Sequence, residues 1–464
     1  MTHPSNSVEF HEGGHYRETA AGEAYRRVLA HYLNLLIPKS SSVIELGCGS
    51  GQLLGLLECA EKAGVDASPR QIAAAAKRCP DARLTVADAA AVDAWKDYDV
   101  ILISDTLNHC GDAQLLLENA RRFAGQGTRL ILTCFNTLWR PALDAASAFG
   151  WRSPQPGINW LSDRDVCNLV ELAGWEVIKT GSRILLPTEW PVLAPLLNRF
   201  LAPLAPPLCL SIFTIARLRA REASRPRSVS VIVPARNEEG NIPSAVRRTP
   251  PMGLWTEMIF IEGHSADATW EAIQKVQTDH PGARIKIARQ TGRGKGDAVR
   301  MGFDMAEGEI LMILDADLTM PPEDLPKFYQ AVAGGACEFA NGCRLVYPME
   351  ERAMQFLNLC ANKIFGILFS WLLGQSVKDT LCGTKALTKS HYEAIAENRS
   401  YFGNFDPFGD FDLLFGADKL NLKIRDIPVR YRERTYGETN IHRFRHGILL
   451  FRMVAFAARK LKFV

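Results

Sequence analysis

The apolar run Ile310-Leu311-Met312-Ile313-Leu314 ends in Asp315-Ala316-Asp317, which sets two carboxylates one residue apart. Like charges held so close repel unless a cation lies between them and further anionic oxygens. A divalent Mg2+ or Mn2+ ion shared with a diphosphate removes the conflict, because hard cations accept carboxylate and phosphate oxygens together. As a Lewis acid the ion also stabilises a departing nucleoside diphosphate. Asp315 and Asp317 are therefore the expected metal ligands, and they head the catalytic candidates of the C-terminal half.

A second cluster lies near the N-terminus. Val43-Ile44-Glu45-Leu46 runs into Gly47-Cys48-Gly49-Ser50-Gly51, and Gln52 to Ala60 reads as a helix. Glycines let a ligand approach the backbone, and a helix N-terminus offers unpaired N–H groups. A turn that cradles a pyrophosphate needs Gly-x-Gly-x-x-Gly. Here the glycines alternate, and an acid stands two residues ahead of the first. That acid suits a cationic cofactor without phosphate, S-adenosylmethionine, whose ammonium and sulfonium need a counter-charge. Asp66, after Gly64-Val65, can accept both ribose hydroxyls, and Asp88, after Val86-Ala87, can meet the adenine amino group.

Strand ends of open α/β sheets are where such groups converge. From Val43 to about Trp175, apolar runs such as Tyr98 to Ile103 alternate with alanine-rich helical stretches such as Pro69 to Cys79. A second alternation follows through Val229 to Val233, Met258 to Ile261, Arg284 to Ala288 and Ile310 to Leu314. Between them Pro187, Pro191, Pro195, Pro203, Pro206 and Pro207 break an apolar stretch that ends in basic residues. The 464 residues thus read as α/β in two domains, 1–185 and 227–464, with an interfacial linker over 186–226.

The series Glu45, Gly47, Gly49, Gly51, Asp66 and Asp88 resembles the class I S-adenosylmethionine-dependent methyltransferases over roughly residues 25 to 185. The resemblance implies a Rossmann-like sheet, with these residues binding the cofactor and methyl transfer to N, O or C. The C-terminal half resembles the family 2 glycosyltransferases of the GT-A fold, in particular the polyprenyl- or dolichyl-phosphate branch. The matching elements are Pro234-x-x-Asn237-Glu238, the turn Glu262 to Asp267, Gly292-x-Gly294-Lys295-Gly296, Asp315-x-Asp317, Asp379-x-x-x-Gly383-x-Lys385 and Gly409-Asp410-Phe411-Asp412. That likeness implies a nucleotide-diphospho-sugar donor held by Pro234, Arg236, Glu238, Glu262, Asp267 and Lys295. It also implies a polyprenyl-phosphate-type acceptor, with inversion at the sugar. The usual Asp-Asp-Gly-Ser turn reads Glu262-Gly263-His264-Ser265 here, and Thr319 stands where a further metal ligand can stand.

Arg344 and Lys385 are the candidates for an anionic acceptor. A lipid phosphate is already ionised and needs positioning more than a base, whereas a sugar hydroxyl would need Asp410 or Asp412 as base. In the N-terminal half, His109 follows a strand end and is the candidate base for O-methylation. Tyr16, Asn136, Trp139, Arg140, Asn159 and Trp160 are candidates for the wall of an acceptor pocket. The expected protein is bifunctional. An alternative, in which the methyltransferase-like module only binds or scaffolds, is weakened by the presence of Glu45 and Gly47.

A net charge of +3 is too small to imply a nucleic-acid binder, and none is expected as a partner. The eleven cysteines are scattered and read as buried thiols. Phe200 to Ala216 and Ile364 to Val377 are uncharged, yet as helices both fall short of the roughly 30 Å hydrocarbon core. The tail Thr439 to Val464 contains no acid and mixes Arg443, Arg445, Arg452, Arg459, Lys460 and Lys462 with apolar residues, which suits an anionic membrane surface. With no apolar leader at Met1 to Glu12, the expected location is cytoplasmic, peripheral at a membrane face.

Overall fold

The computed structural model describes residues 18–153, 159–219, 225–347, 356–401, 410–434, 436 and 443–464. The chain divides into two compact units, Met1–Arg219 with the last three residues, and Ala220–Leu461.

Unit 1 begins with helix α1 (Ala20–Leu36), followed by β1 (Ser42–Leu46), α2 (Gln52–Leu56), β2 (Glu61–Asp66), α3 (Pro69–Arg78), β3 (Arg83–Val86) and β4 (Tyr98–Ser104). It continues through α4 (Ala113–Ala120), β5 (Ala124–Phe135), α5 (Arg140–Ala148), α6 (Asp163–Leu172), β6 (Trp175–Arg183) and β7 (Ser211–Leu218). The seven strands form one sheet in the order β3-β2-β1-β4-β5-β7-β6. All neighbours are parallel except β7, which runs antiparallel to β5 and β6. Successive strand side chains point to opposite faces. Val43, Val100 and Leu102 accordingly pack under α1 with Leu29 and Leu33. Ile44, Leu46, Ile101 and Ile103 pack on the other face with Leu116, Leu117, Val166 and Val170. This parity puts Glu45 on the α1 face, between Gly64 of β2 and Leu102 of β4.

Two expectations are corrected here. The stretch read as a linker from 186 belongs to unit 1 as far as Arg219, because Ser211–Leu218 is a nearly fully buried strand inside the sheet. The prolines lie before that strand, and a strand covered on both faces reads as a continuous apolar run rather than an alternating one. The helix after the glycine turn stops at Leu56, where Leu57 turns extended (φ −73°, ψ 138°).

Unit 2 runs through β8 (Val229–Ala235), α7 (Ile242–Arg248), β9 (Thr256–Glu262), α8 (Thr269–Asp279), β10 (Arg284–Arg289), α9 (Lys295–Met305) and β11 (Ile310–Ile313). It continues with α10 (Leu325–Ala333), β12 (Phe339–Cys343), α11 (Phe356–Leu373), β13 (Lys385–Thr388), α12 (Lys389–Glu397), α13 (Asp410–Lys419), β14 (Ile424–Pro428) and α14 (Arg443–Leu461). The sheet order is β10-β9-β8-β11-β13-β12-β14, with β13 antiparallel to β11 and β12. The parallel half, β10-β9-β8-β11, brings the ends of β8, β9 and β11 to one edge. Among the described residues no helix is long and apolar enough to cross a membrane.

Candidate functional sites

In unit 1 the turn after β1 uses left-handed backbone at Gly47 (φ 84°), Gly49 (φ 51°) and Gly51 (φ 72°), a region where L side chains are strained. A Cβ at Gly47 would clash with Thr106, and one at Gly51 would stand 3.0 Å from the Ala75 Cβ, whereas at Gly49 it would meet nothing within 4 Å. Gly47 and Gly51 thus serve close packing, and Gly49 opens onto a cleft of ≈ 1230 Å³. Gly47, Gly49, Glu45, Asp66 and Asp88 all line that cleft, while Gly51 does not. Asp66 at the end of β2 accepts from the Gly49 N–H (2.8 Å) and the Ser68 N–H (3.0 Å), which fixes its carboxylate toward the turn. Asp88 is exposed and accepts from the Ala90 N–H at 2.9 Å.

Glu45 is 3% exposed, and among the described residues its Oε2 has no hydrogen-bond partner. Burial pushes its pKa up to about 8; the Arg26 guanidinium opposes this, and Asp105 and Asp66 add to it. A buried carboxylate without a partner is costly, and a ligand ammonium would supply what is missing. The site therefore fits S-adenosylmethionine.

Sequence reasoning missed the groups beside it. Asp105, directly after β4 and left-handed (φ 57°), accepts from Tyr25 Oη at 3.0 Å and Thr133 Oγ1 at 3.0 Å. Burial raises the Asp105 pKa, with Arg26 and these two hydroxyls opposing the rise. Tyr25, Arg26, Asp105, Trp151 and Arg152 line the cleft with His109. The strand-end position of Asp105 was a readable signal; Trp151 and Arg152 carried none.

Most of the side chains expected in an acceptor wall do structural work instead. Asn136 Nδ2 donates to the Pro207 and Cys209 carbonyls (2.9 Å each), and Trp139 Nε1 donates to the Leu208 carbonyl at 2.8 Å. Asn159 Nδ2 donates to the Leu107 (3.1 Å) and Cys110 (2.9 Å) carbonyls. Trp160 packs on the α1-face core, with the Arg140 guanidinium 5.9 Å from its ring centroid. Tyr16 lies outside the described residues.

In unit 2 the strand-end acids are paired. Asp315 meets Lys295 Nζ at 2.6 Å, the first residue of α9. Its burial would raise its pKa, yet Lys295, with Lys385 and Arg344 behind it, holds the carboxyl below its usual range. Asp317 accepts from Arg434 Nη2 at 2.7 Å and from the Thr319 N–H (3.1 Å) and Oγ1 (2.9 Å). Thr319 therefore braces Asp317. Arg434 also donates to Glu238 Oε1 at 3.2 Å, while Asn241 Nδ2 donates to Glu238 Oε2 at 2.7 Å. Burial raises the Glu238 pKa to about 7, Asn241 and Arg434 opposing and Asp317 and Asp315 adding. Arg434 had no motif to announce it.

The remaining nucleotide candidates sit at the same sheet edge. Glu262 accepts from the Ser265 N–H at 2.5 Å, and Asp267 accepts from the Thr269 N–H at 3.2 Å, so both shape the turn into α8. Arg236 is exposed and Pro234 half-buried after the end of the apolar run of β8.

Three acceptor or base candidates need correction, and a fourth, Asp410, has a side chain outside the described residues. Arg344 is 9% exposed and bound bidentately to Asp379 (2.7 and 2.8 Å), an ion pair that leaves no fork for a lipid phosphate. Lys385 is fully buried on β13 and donates to the Cys382 carbonyl. Asp412, 7% exposed, accepts from Arg399 Nε at 2.8 Å with Arg300 4.0 Å away, so it is an ion-pair partner rather than an open base. Asp410 itself opens α13. The Asp379–Lys385 segment nevertheless reaches the site through Gly383, where any Cβ would clash with Asp315 and Lys295.

Asp315 and Asp317 offer the hard oxygen donors that Mg2+ or Mn2+ prefers. Among the described residues no group of three His, Cys, Asp or Glu side chains is placed to hold an ion. A divalent ion here would take its other ligands from phosphate oxygens and water, as Mg2+ commonly does. On those terms the residues fit.

Residues 15–180 match the methyltransferase domain family, and residues 230–395 match glycosyl transferase family 2. The dolichol-phosphate mannosyltransferase of Pyrococcus furiosus is 31% identical over 46% of this chain and 59% of its own length. The undecaprenyl-phosphate 4-deoxy-4-formamido-L-arabinose transferase of Salmonella paratyphi B is 25% identical over 47% of this chain and 64% of its own. The chain thus spans about six-tenths of the length of these relatives. A Thermotoga maritima S-adenosylmethionine-dependent methyltransferase of known structure is 17% identical, with a TM-score of 0.33, over 42% of this chain and 91% of that one. The chain joins a methyltransferase domain of Rossmann-like fold to a family 2 glycosyltransferase domain of GT-A fold.

Proposed function

We propose that unit 2 transfers a sugar from a nucleotide-diphospho-sugar to a polyprenyl-phosphate-type lipid, and that unit 1 transfers a methyl group from S-adenosylmethionine to a second acceptor. The observation that carries the first half is the Asp315/Asp317 edge: two carboxylates of one strand end, each countered by a side-chain cation. Asp315 and Asp317 would hold Mg2+ or Mn2+, which when bound supplies Lewis-acid stabilisation to the leaving diphosphate. Lys295 and Arg434, released from the carboxylates, are then placed to meet phosphate oxygens. Glu238 and Glu262 bound the nucleotide side, and a lipid phosphate acceptor needs alignment rather than deprotonation. The two relatives named for dolichol-phosphate and undecaprenyl-phosphate support that acceptor class.

For unit 1 the Glu45 oxygen that has no hydrogen-bond partner among the described residues carries the reading. S-adenosylmethionine supplies an electrophilic methyl group, while Glu45 balances its charge, Asp66 and Asp88 receive ribose and adenine, and His109 stands on the cleft wall as base. Helices α11 and α14 support work at the cytoplasmic face of a membrane. Phe365 and Phe451 pack at 4.9 Å between ring centroids, while Ile364, Ile367, Phe451, Lys363 and Arg452 are exposed, an apolar surface with cationic margins.

A nucleotide-sugar screen with polyprenyl phosphate tests the first half, comparing wild type with Asp317→Asn. Full turnover in the variant would overturn the metal assignment. Tritiated methyl donor tests the second: if wild-type protein binds it but labels no product from membranes, unit 1 is a binding module.

A further inference from the structure

Unit 1 carries an insertion between β6 and β7, residues 184–210, folded as short turns of helix at Leu193–Pro195, Leu196–Leu201 and Pro206–Leu208. The middle turn is π-type, with the Ala202 N–H bonded to the Leu197 carbonyl at 2.8 Å. Its apolar residues face the wrong way for a solvated helix. Val192 (80% exposed), Leu193 (41%), Leu196 (53%), Phe200 (50%), Leu201 (45%), Leu204 (64%) and Leu208 (59%) all lie on the outside of these turns. The inward positions are Ala194, Asn198 and Ala202, each at most 6% exposed. Helices on soluble proteins bury the larger apolar side chains and expose the polar ones; this one is inverted.

The inversion is held by hydrogen bonds. Asn198 Oδ1 accepts from the Leu185 and Leu186 N–H groups, and its Nδ2 donates to the Leu186 carbonyl, all at 2.8 Å. Tyr32 Oη of α1 donates to the Asn198 carbonyl at 3.1 Å. An asparagine so tied down fixes the rotation of the segment, so its leucines cannot roll inward without orphaning buried amides.

Two further observations say what meets this face. The acid of the insertion, Glu189, is neutralised by Arg27 through bonds of 2.6 and 2.7 Å, leaving the face without net negative charge beside the cation Arg199. The insertion is also continuous with the cleft: Pro187 and Thr188 at its start and Leu210 at its end line it, as does the exposed Trp151. An outward apolar strip bearing Trp190, with Phe200 half exposed beside the Phe463 ring at 6.0 Å, fits the headgroup–acyl boundary of a bilayer, where aromatic and aliphatic groups insert shallowly. The cleft exceeds the roughly 300–1,000 Å³ of an ordinary small-molecule site, which leaves room for an acceptor beside the cofactor.

We infer that the insertion seats unit 1 on a lipid bilayer surface and that its methyl acceptor is a lipid-borne molecule whose head enters the cleft past Pro187, Thr188 and Trp151. This rests on unit 1 being the S-adenosylmethionine site proposed above. Hydrogen exchange on the full chain with phosphatidylcholine–phosphatidylglycerol vesicles tests it. Peptides spanning 190–208 should slow, and the slowing should vanish in Leu196→Glu/Leu204→Glu, with vesicle affinity at this segment falling on the order of tenfold. Leu196→Gln/Leu204→Gln should lose it as well, which separates apolar contact from charge. Cofactor affinity, read by calorimetry, should be unchanged in both, which shows that the variants fold. Unslowed exchange at 190–208 in the wild type overturns the inference, as does slowing that follows protein concentration without vesicles, the mark of a second copy. Failure of the wild type to bind S-adenosylmethionine would instead overturn the reading beneath it.

Discussion

Glu45 stands one residue from the end of a buried strand with one carboxylate oxygen unbonded among the described residues, whereas Asp315 and Asp317, at a strand end of the other unit, are each held by a protein cation, Lys295 and Arg434. The same strand-end geometry is used in two electrostatic modes. In unit 1 Arg26 only partly offsets the burial of Glu45 and no described group bonds its free oxygen, so the closest counter-charge must arrive with the ligand and part of the cofactor's affinity is relief of a desolvated acid. In unit 2 the counter-charge is built in, and a metal–diphosphate must exchange for it. The first mode makes empty and filled states differ in protonation; the second makes them differ in ion pairing.

The contrast breaks most visibly at the buried pair behind the second site. Arg344→Met leaves Asp379 as an uncompensated buried charge, and such losses cost about 3–5 kcal/mol. Denaturant unfolding of unit 2 should shift by that amount while the cofactor affinity of unit 1 stays put. An unchanged midpoint would mean that the pair is not the anchor its 2.7 and 2.8 Å bonds suggest. At the site itself, Asp317→Asn should lower glycosyl transfer roughly 10²–10³-fold, the range seen when one electrostatic contact to a transition state is removed. Methyl transfer serves as the internal control.

Glu45→Gln separates the two modes from the other side. Losing a charge-assisted contact of about 1.5–3 kcal/mol should weaken S-adenosylmethionine binding by roughly ten- to a hundredfold, measured by calorimetry. The ligand-free protein should be no less stable than wild type near pH 8, because the substitution removes a buried charge rather than a paired one. Loss of stability would show that Glu45 has a partner after all.

Much of this was legible in the sequence where a carboxylate or glycine stood at a strand end, since the sheet itself dictates that such positions converge. Glu45, Asp66, Asp88, Asp315 and Asp317 are of that kind. What the sequence hides is pairing. Arg344 and Lys385 read as cations awaiting an anion, because Asp379 and the Cys382 carbonyl meet them only in three dimensions. Arg434 was hidden for the same reason. Strand β7 was masked by Pro203, Pro206 and Pro207, which interrupt the loop before it and not the strand.

The smallest effect is the most direct test of the difference between the units. The Glu45 pKa of about 8 in the folded, ligand-free protein stands above its ordinary 4.5. Between those values the folded state binds more protons than the unfolded one, so stability falls as pH rises through that window. A bound ammonium favours the carboxylate, so binding near pH 6.5 should release close to one proton, and affinity should climb with pH until about 8. Calorimetry in two buffers of different ionisation heat measures that proton. Because an α-amino group itself titrates near about 8, the comparison is with Glu45→Gln, which should release none. Equal proton release from wild type and variant would mean that Glu45 is already ionised in the empty cleft, and that unit 1 supplies its counter-charge from within, as unit 2 does.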